Sequence, residues 1–319
     1  MPLLKSHHKP NFLFKHGHFS TIYSAKLRPI PKLMQERERV ALSDGDFIDV
    51  DWSFSKRKTR RVAILLHGLE GNAQRVYIVG QAKQLVLNNW DVAAMNHRGC
   101  SGEDNLLYES YNSGRTDDLE SLVAFILKKG QYDEISLVGF SLGGNLVLKY
   151  LGEREVLPKE IKKGVAISAP LHLKGSLKAL SKVENMLYNK LFVHDLKKKY
   201  KRKMPHFPDK MNIETYQKIK TLFDFDNLYT APAHGFIDAL DYYEKSSSIQ
   251  FLKNIKVPVL ILSAKNDSFL SKECYPIALA SQLKNIYLEV PNYGGHVGFH
   301  KTNKEQYSEL RAVDFLTNK

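Results

Sequence analysis

A chain of 319 residues, 43% hydrophobic and 25% charged, has enough apolar material for a large buried core and needs no disulfide or metal to fold. Two cysteines, Cys100 and Cys274, exclude a disulfide framework and a four-cysteine zinc site. The formal charge of +13 permits contact with nucleic acid or an anionic membrane surface but demands neither.

The N-terminal stretch MPLLKSHHKPNFLFKHGHFS carries charges and histidines where a signal peptide needs an apolar run. No apolar run approaches the ~18–20 residues that span a bilayer, so a soluble, cytoplasmic protein is expected. Residues 39–42 and 47–52 read as two strands joined by a turn at 43–46, an antiparallel hairpin at one edge of a sheet. From residue 61 onward, short apolar runs at 62–66, 92–95, 135–140, 165–168, 257–262 and 286–290 alternate with longer segments. Runs this short, rich in Val, Ile and Leu, are how strands buried on both faces of a parallel sheet read. Helical spacing is found at 116–129, 142–152 and 271–284. Residues 171–250 hold no convincing strand, and their aromatic and charged residues recur at helical steps, as in 211–225 and 236–243. The expected architecture is α/β: a mostly parallel, doubly wound sheet in a single domain over 1–319, with an antiparallel edge hairpin and a helical cap inserted at about 171–250.

Basic residues cluster at 56–61 and 197–203. No zinc-finger, RRM or homeodomain pattern accompanies them, so nucleic acid is not expected as a partner. The second cluster lies in the cap, and its two readings are a solvated helix face and weak peripheral contact with an anionic membrane.

The strongest local signal is Gly139-Phe140-Ser141-Leu142-Gly143, a G-x-S-x-G match with a buried strand before it and a helix after it. A nucleophile on such a sharp turn needs small residues two places to either side, so that strand and helix can approach without Cβ clashes. The serine then stands near the helix N-terminus, whose dipole favours developing negative charge. A serine hydroxyl needs a base, and on this architecture the partners follow in the order Ser, acid, His. Asp267 lies just past the strand at 257–262, and His296, in Gly294-Gly295-His296-Val297-Gly298, just past the strand at 286–290. Loops at the carboxyl ends of strands build the site in open α/β sheets. Backbone N–H donors for an oxyanion are expected from Leu142, after the nucleophile, and from Leu69 in His67-Gly68-Leu69-Glu70-Gly71. His67 and His97 are the competing bases, and Asp224 and Asp226 the reserve acids. There is no Walker A loop, no Rossmann glycine pattern and no H-E-x-x-H, so neither cofactor nor metal is expected.

At these residues the chain resembles the α/β-hydrolase superfamily, and within it the YheT-like branch of predicted esterases, to which some eukaryotic lipid-hydrolysing proteins are related. The likeness covers most of the chain. It runs from Gly17-His18-Phe19-Ser20-Thr21, similar to a G-H-x-x-T motif of that branch, through the His67 loop, Asn96-His97-Arg98-Gly99, Tyr111-Asn112-Ser113-Gly114 and the serine turn. It continues at 229–236, Lys265-Asn266-Asp267-Ser268-Phe269 and the glycine-flanked His296. The resemblance implies a Ser141–Asp267–His296 triad and carboxylic-ester hydrolysis. The expected substrate is a small-molecule or lipid ester with a short- to medium-chain acyl group, acylglycerols included. The same machinery would serve a thioester or an amide. A non-catalytic binding module is the alternative from another class, and it has no need of these three residues in this order.

Overall fold

The computed structural model describes residues 3–302 and 305–318. One sheet is built from β1 (Leu3–Leu4), β2 (Glu36–Ala41), β3 (Phe47–Ser53), β4 (Arg61–Leu66), β5 (Asp91–Asn96), β6 (Glu134–Phe140), β7 (Ile161–Ile167), β8 (Val259–Leu262) and β9 (Ile286–Glu289). The helices are α1 (Gly17–Ile22), α2 (Val76–Leu87), α3 (Asp117–Lys128), α4 (Leu142–Glu153), α5 (Leu173–Leu180), α6 (Met186–Lys203), α7 (Ile213–Lys218), α8 (Leu222–Phe225), α9 (Ala231–Ala233), α10 (Ala239–Ser246), α11 (Ile277–Ala280) and α12 (Tyr307–Thr317).

The strand order is β1-β9-β8-β7-β6-β4-β5-β3-β2. Pairing is parallel from β1 across to β5, and β3 is antiparallel to both β5 and β2. The mostly parallel sheet and its edge hairpin are as expected. Arg37 and Arg39 on β2 face Asp51 and Asp49 on β3 and bond them at 2.7 and 2.8 Å, opposite charges set directly across the ladder. In the parallel strands alternate residues feed two cores. Val62, Ile64 and Leu66 of β4 pack with α3 and α4. Ala63 and Leu65 pack on the other face with α2 and α12.

Between β7 and β8 run α5 to α10 with no strand among them. Val193, Leu196 and Tyr200 of α6 form a separate core with Met211, Ile219, Leu222, Phe225 and Tyr229. The helical spacing at 211–225 resolves into two helices. Ile219 is extended (φ −68°, ψ 107°), and Thr221 restarts the chain by accepting the Asp224 N–H at 3.1 Å as an N-cap.

The expected helix at 271–284 is corrected. Only α11 is α-helical there, after a 3₁₀ turn at Lys272–Cys274. Pro276 lies between the two. It has no N–H to give, and its ring blocks the preceding turn.

The basic cluster of the cap is only partly a surface feature. The Lys199 and Lys203 side chains are buried. Lys203 Nζ is held by Asn105 Oδ1 at 3.0 Å and by the Leu107 and Tyr108 carbonyls at 2.6 and 3.0 Å; burial pulls this ammonium down to about 8. Lys197 donates to the Tyr216 and Ile219 carbonyls, and Arg202 pairs with Asp104. Lys198 and Lys201 are exposed. No helix among the described residues is long and apolar enough to cross a membrane.

Candidate active site

Ser141 stands between β6 and α4 with φ 51° and ψ −121°, a left-handed conformation that a residue with a side chain rarely adopts. The flanking glycines are required by contact. A side chain on Gly139 would run into the Gly143 carbonyl, and one on Gly143 into the Leu66 carbonyl of β4. Strand, turn and helix therefore close tightly, and Ser141 is lifted above the carboxyl ends of β4 and β6.

His296 and Asp267 arrive from the loops after β9 and β8. His296 Nε2 is 2.9 Å from Ser141 Oγ, and His296 Nδ1 is 2.9 Å from Asp267 Oδ2. The Asp267 carboxyl is fully buried and the imidazole nearly so. Asp267 Oδ1 accepts the Phe269 N–H at 3.0 Å, and the Phe269 ring stacks on His296 at 4.3 Å between centroids. The acid is thus aimed at one nitrogen and the ring is held flat.

The histidine loop is held by groups whose holding role the sequence does not reveal. The His296 N–H donates to Thr21 Oγ1 at 2.8 Å, and Thr21 Oγ1 donates to the Gly17 carbonyl of α1 at 2.9 Å. Asn266 Oδ1 accepts the Gly295 N–H, and its Nδ2 donates to the Lys15 carbonyl. The Val297 N–H donates to Ser168 Oγ at 3.0 Å. Gly17 and Thr21 are the first and last residues of the N-terminal motif. That motif was the available signal, and its purpose becomes visible only with the loop beside it. Glu70, Ser141, Ser168 and Val297 all have φ between 49° and 58°. Strained backbone of this kind collects where the surrounding structure over-determines it.

The competing histidines lie beneath the β4 loop. His67 Nδ1 is 2.8 Å from the Gly68 carbonyl, and its Nε2 accepts the His97 N–H at 3.1 Å. His97 Nε2 is 3.1 Å from the His67 carbonyl. Burial holds both imidazoles below their ordinary value, His97 at about 4, so both are neutral near pH 7. They brace the loop. Of the reserve acids, Asp224 caps α8, and Asp226 accepts from Thr230 and Tyr243.

Leu69 and Leu142 both line the cavity that Ser141 and His296 open into. Leu142 is the first residue of α4, where backbone N–H groups have no partner within the helix. The Leu69 loop is fastened from several sides. The Gly68 N–H donates to Tyr77 OH, the Glu70 N–H to Tyr111 OH at 2.8 Å, and Arg75 to the Glu70 carbonyl. Glu70 Oε1 accepts from Tyr111 OH at 2.6 Å and from Lys199 Nζ of α6 at 2.8 Å. Burial works against charge on Lys199, but the Cys100 thiol and the Glu70 carboxylate raise its proton affinity above the usual value. Asn145 of α4 donates to the Ser113 and Ser246 carbonyls, tying the 111–114 motif and the end of α10 to the helix that follows Ser141.

Residues 62–301 match the family model described as alpha/beta hydrolase fold. The chain belongs to the α/β-hydrolase fold family. It is 30% identical over 312 residues to the Escherichia coli (strain K12) protein named "Putative esterase YheT", covering 95% of this chain and 91% of that protein. It is 26% identical to human "Phospholipase ABHD3", over 93% of this chain and 75% of that one. Among solved structures, the Pyrococcus furiosus esterase Pf2001 superposes with a TM-score of 0.58 at 18% identity, over 89% of this chain and 90% of that one. At that identity the likeness speaks for the α/β-hydrolase fold alone.

Proposed function

We propose that this chain is a serine hydrolase that cleaves carboxylic esters through an acyl-enzyme intermediate. One observation carries the reading: the unbroken chain of hydrogen bonds from Ser141 Oγ through His296 to the buried Asp267. Ser141 Oγ attacks the ester carbonyl carbon while His296 Nε2 takes the hydroxyl proton. The tetrahedral oxyanion is received by the N–H groups of Leu69 and Leu142. The bond to the alcohol oxygen breaks, and His296 returns the proton to the departing alcohol. Water then attacks the acyl-enzyme with the same base, freeing the acid and restoring Ser141. Asp267 keeps the imidazole in the tautomer that presents a bare Nε2 and stabilises the imidazolium.

The cavity beside Ser141 opens to solvent at its mouth. Its aliphatic and aromatic walls suit an acyl chain. The esterase and phospholipase names of the relatives favour an ester of lipid character.

The test is reaction with a fluorophosphonate probe and hydrolysis of a p-nitrophenyl ester series. Ser141→Ala is expected to abolish labelling, and Asp267→Asn and His296→Ala each to lower kcat by roughly 10³–10⁶. Persistent labelling of the alanine variant would overturn the assignment of the nucleophile.

A further inference from the structure

Ser141 and His296 line two adjoining spaces, which also share Leu69, Phe192 and Phe269. The first lies under the cap, and its walls are interior residues: Leu196, Tyr200, Leu222, Phe225 and Tyr229 are each no more than 6% exposed. The second is a cleft between the N-terminal segment (Thr21, Ile22, Ala25) and α6 (Leu187, Leu191). Its apolar walls reach the surface, with Ile22 40%, Leu187 63% and Leu191 49% exposed. The two sides of the cleft are joined at the ring of His18, which stacks on Tyr188 of α6 with Nδ1 3.3 Å from the tyrosine hydroxyl.

An acyl-enzyme cycle treats the two arms of an ester differently. The acyl arm stays bonded to Ser141 until the second half of the cycle. The alcohol must depart after the first half, and water must enter where it left. The arm that must clear the site first is the alcohol. Both spaces open to solvent, but only the cleft has apolar walls that are themselves exposed. A methyl or ethyl alcohol would touch only the residues beside His296. An alcohol with an apolar chain would cover Ile22, Leu187 and Leu191 and remove that surface from water.

Resting on the esterase reading above, we propose that the cleft between α1 and α6 is a leaving-group site for alcohols bearing an apolar chain. The enzyme then selects its substrate at the alcohol as well as at the acid. The class it fits is the ester with two apolar arms, one under the cap and one along α6.

The experiment uses two matched ester series on the full chain, with released acid measured by titration. In one, the acyl group is butanoyl and the alcohol lengthens from ethyl to octyl. In the other, the alcohol is fixed and the acyl chain lengthens. Because kcat/KM covers the steps through acylation, it reads the alcohol directly. The octyl ester is expected to exceed the ethyl ester in kcat/KM by at least about tenfold. In the Leu187→Asp/Leu191→Asp variant that ratio is expected to collapse toward one, while the dependence on acyl length persists. Both side chains are exposed, and fluorophosphonate labelling of the variant checks that its site is assembled. A wild-type kcat/KM indifferent to alcohol length would overturn the proposal, as would a ratio that survives in the variant. Absence of both hydrolysis and labelling in the wild type would instead overturn the esterase reading, and this proposal with it.

Discussion

Thr21 has one hydroxyl and two duties. It donates to the Gly17 carbonyl and accepts the backbone N–H of His296. Thr21→Val keeps the shape and removes the acceptor, leaving a largely buried donor unmatched at a cost of about 1–3 kcal/mol. Ester hydrolysis is expected to fall by about tenfold, the rate equivalent of ~1.4 kcal/mol of lost orientation, and Thr21→Ser should restore it. A valine variant with wild-type kcat/KM would contradict this. Asp226 behaves differently. Burial within the helical segment between β7 and β8 pushes its carboxyl up to about 6 from 3.8, so between those values the folded form binds the proton that the unfolded form releases. Through this group, stability rises as pH falls from about 6 toward about 4, by at most roughly 3 kcal/mol. Urea titrations across that window should register the rise in the wild type and lose it in Asp226→Asn. Ser141, Asp267 and His296, which the fold brings within hydrogen-bond reach of one another, stand out in the sequence because each combines a reactive side chain with a strand end and local turn residues. Thr21 is marked only by the motif it ends, and Ser168 by nothing. Their partners lie 275 and 129 residues away, a pairing that local pattern does not encode.

Helix α6 has the sequence of a basic surface helix and the contacts of a clamp. Six of residues 197–203 are basic, yet Lys199 reaches inward to Glu70 and Lys203 to the carbonyls of 107 and 108. Charge alone does not say which lysines point in; that depends on the loops packed against the helix, and those come from elsewhere in the chain. Because Glu70 adjoins Leu69, the seat of α6 and the shape of the candidate oxyanion loop are linked. Lys199→Met breaks a buried ion pair and is expected to cost about 3 kcal/mol or more in urea unfolding. Lys198→Met, one residue away and exposed, should stay within ~0.5 kcal/mol. Equal effects of the two would mean that the clamp contributes nothing. The sheet strands and α3 were readable because burial on two faces, or on one stripe, leaves a repeating signature. The segment at 271–284 was misread because Ile277, Ala278 and Leu283 fit helical spacing while Pro276 forbids a continuous helix. Neither α2 nor α12 was singled out, although both complete the second core.

Across the molecule as a whole, the N-terminal segment is fastened to the other end of the chain. β1 lies parallel against β9. The Lys15 carbonyl accepts from Asn266, Thr21 holds His296, Ser24 donates to the Gly298 carbonyl, and Arg28 pairs with Glu309 inside the core. The sequence announces a sheet and a cap, but this strap closes across the whole length of the polypeptide. Its consequence lies in the order of synthesis. Residue 21 leaves the ribosome 275 residues ahead of the partner it must hold. At roughly 5–20 residues per second, that is a wait on the order of tens of seconds. Meanwhile Ile22 and Leu27, surface residues even in the finished fold, precede the strand β9 against which β1 will pair. Ser141 is made long before His296. A nascent chain of this kind carries Ser141 through 155 residues of synthesis before His296 emerges, and the segment from Lys15 to Arg28 docks only after its partners at Asn266 and Glu309 have been made.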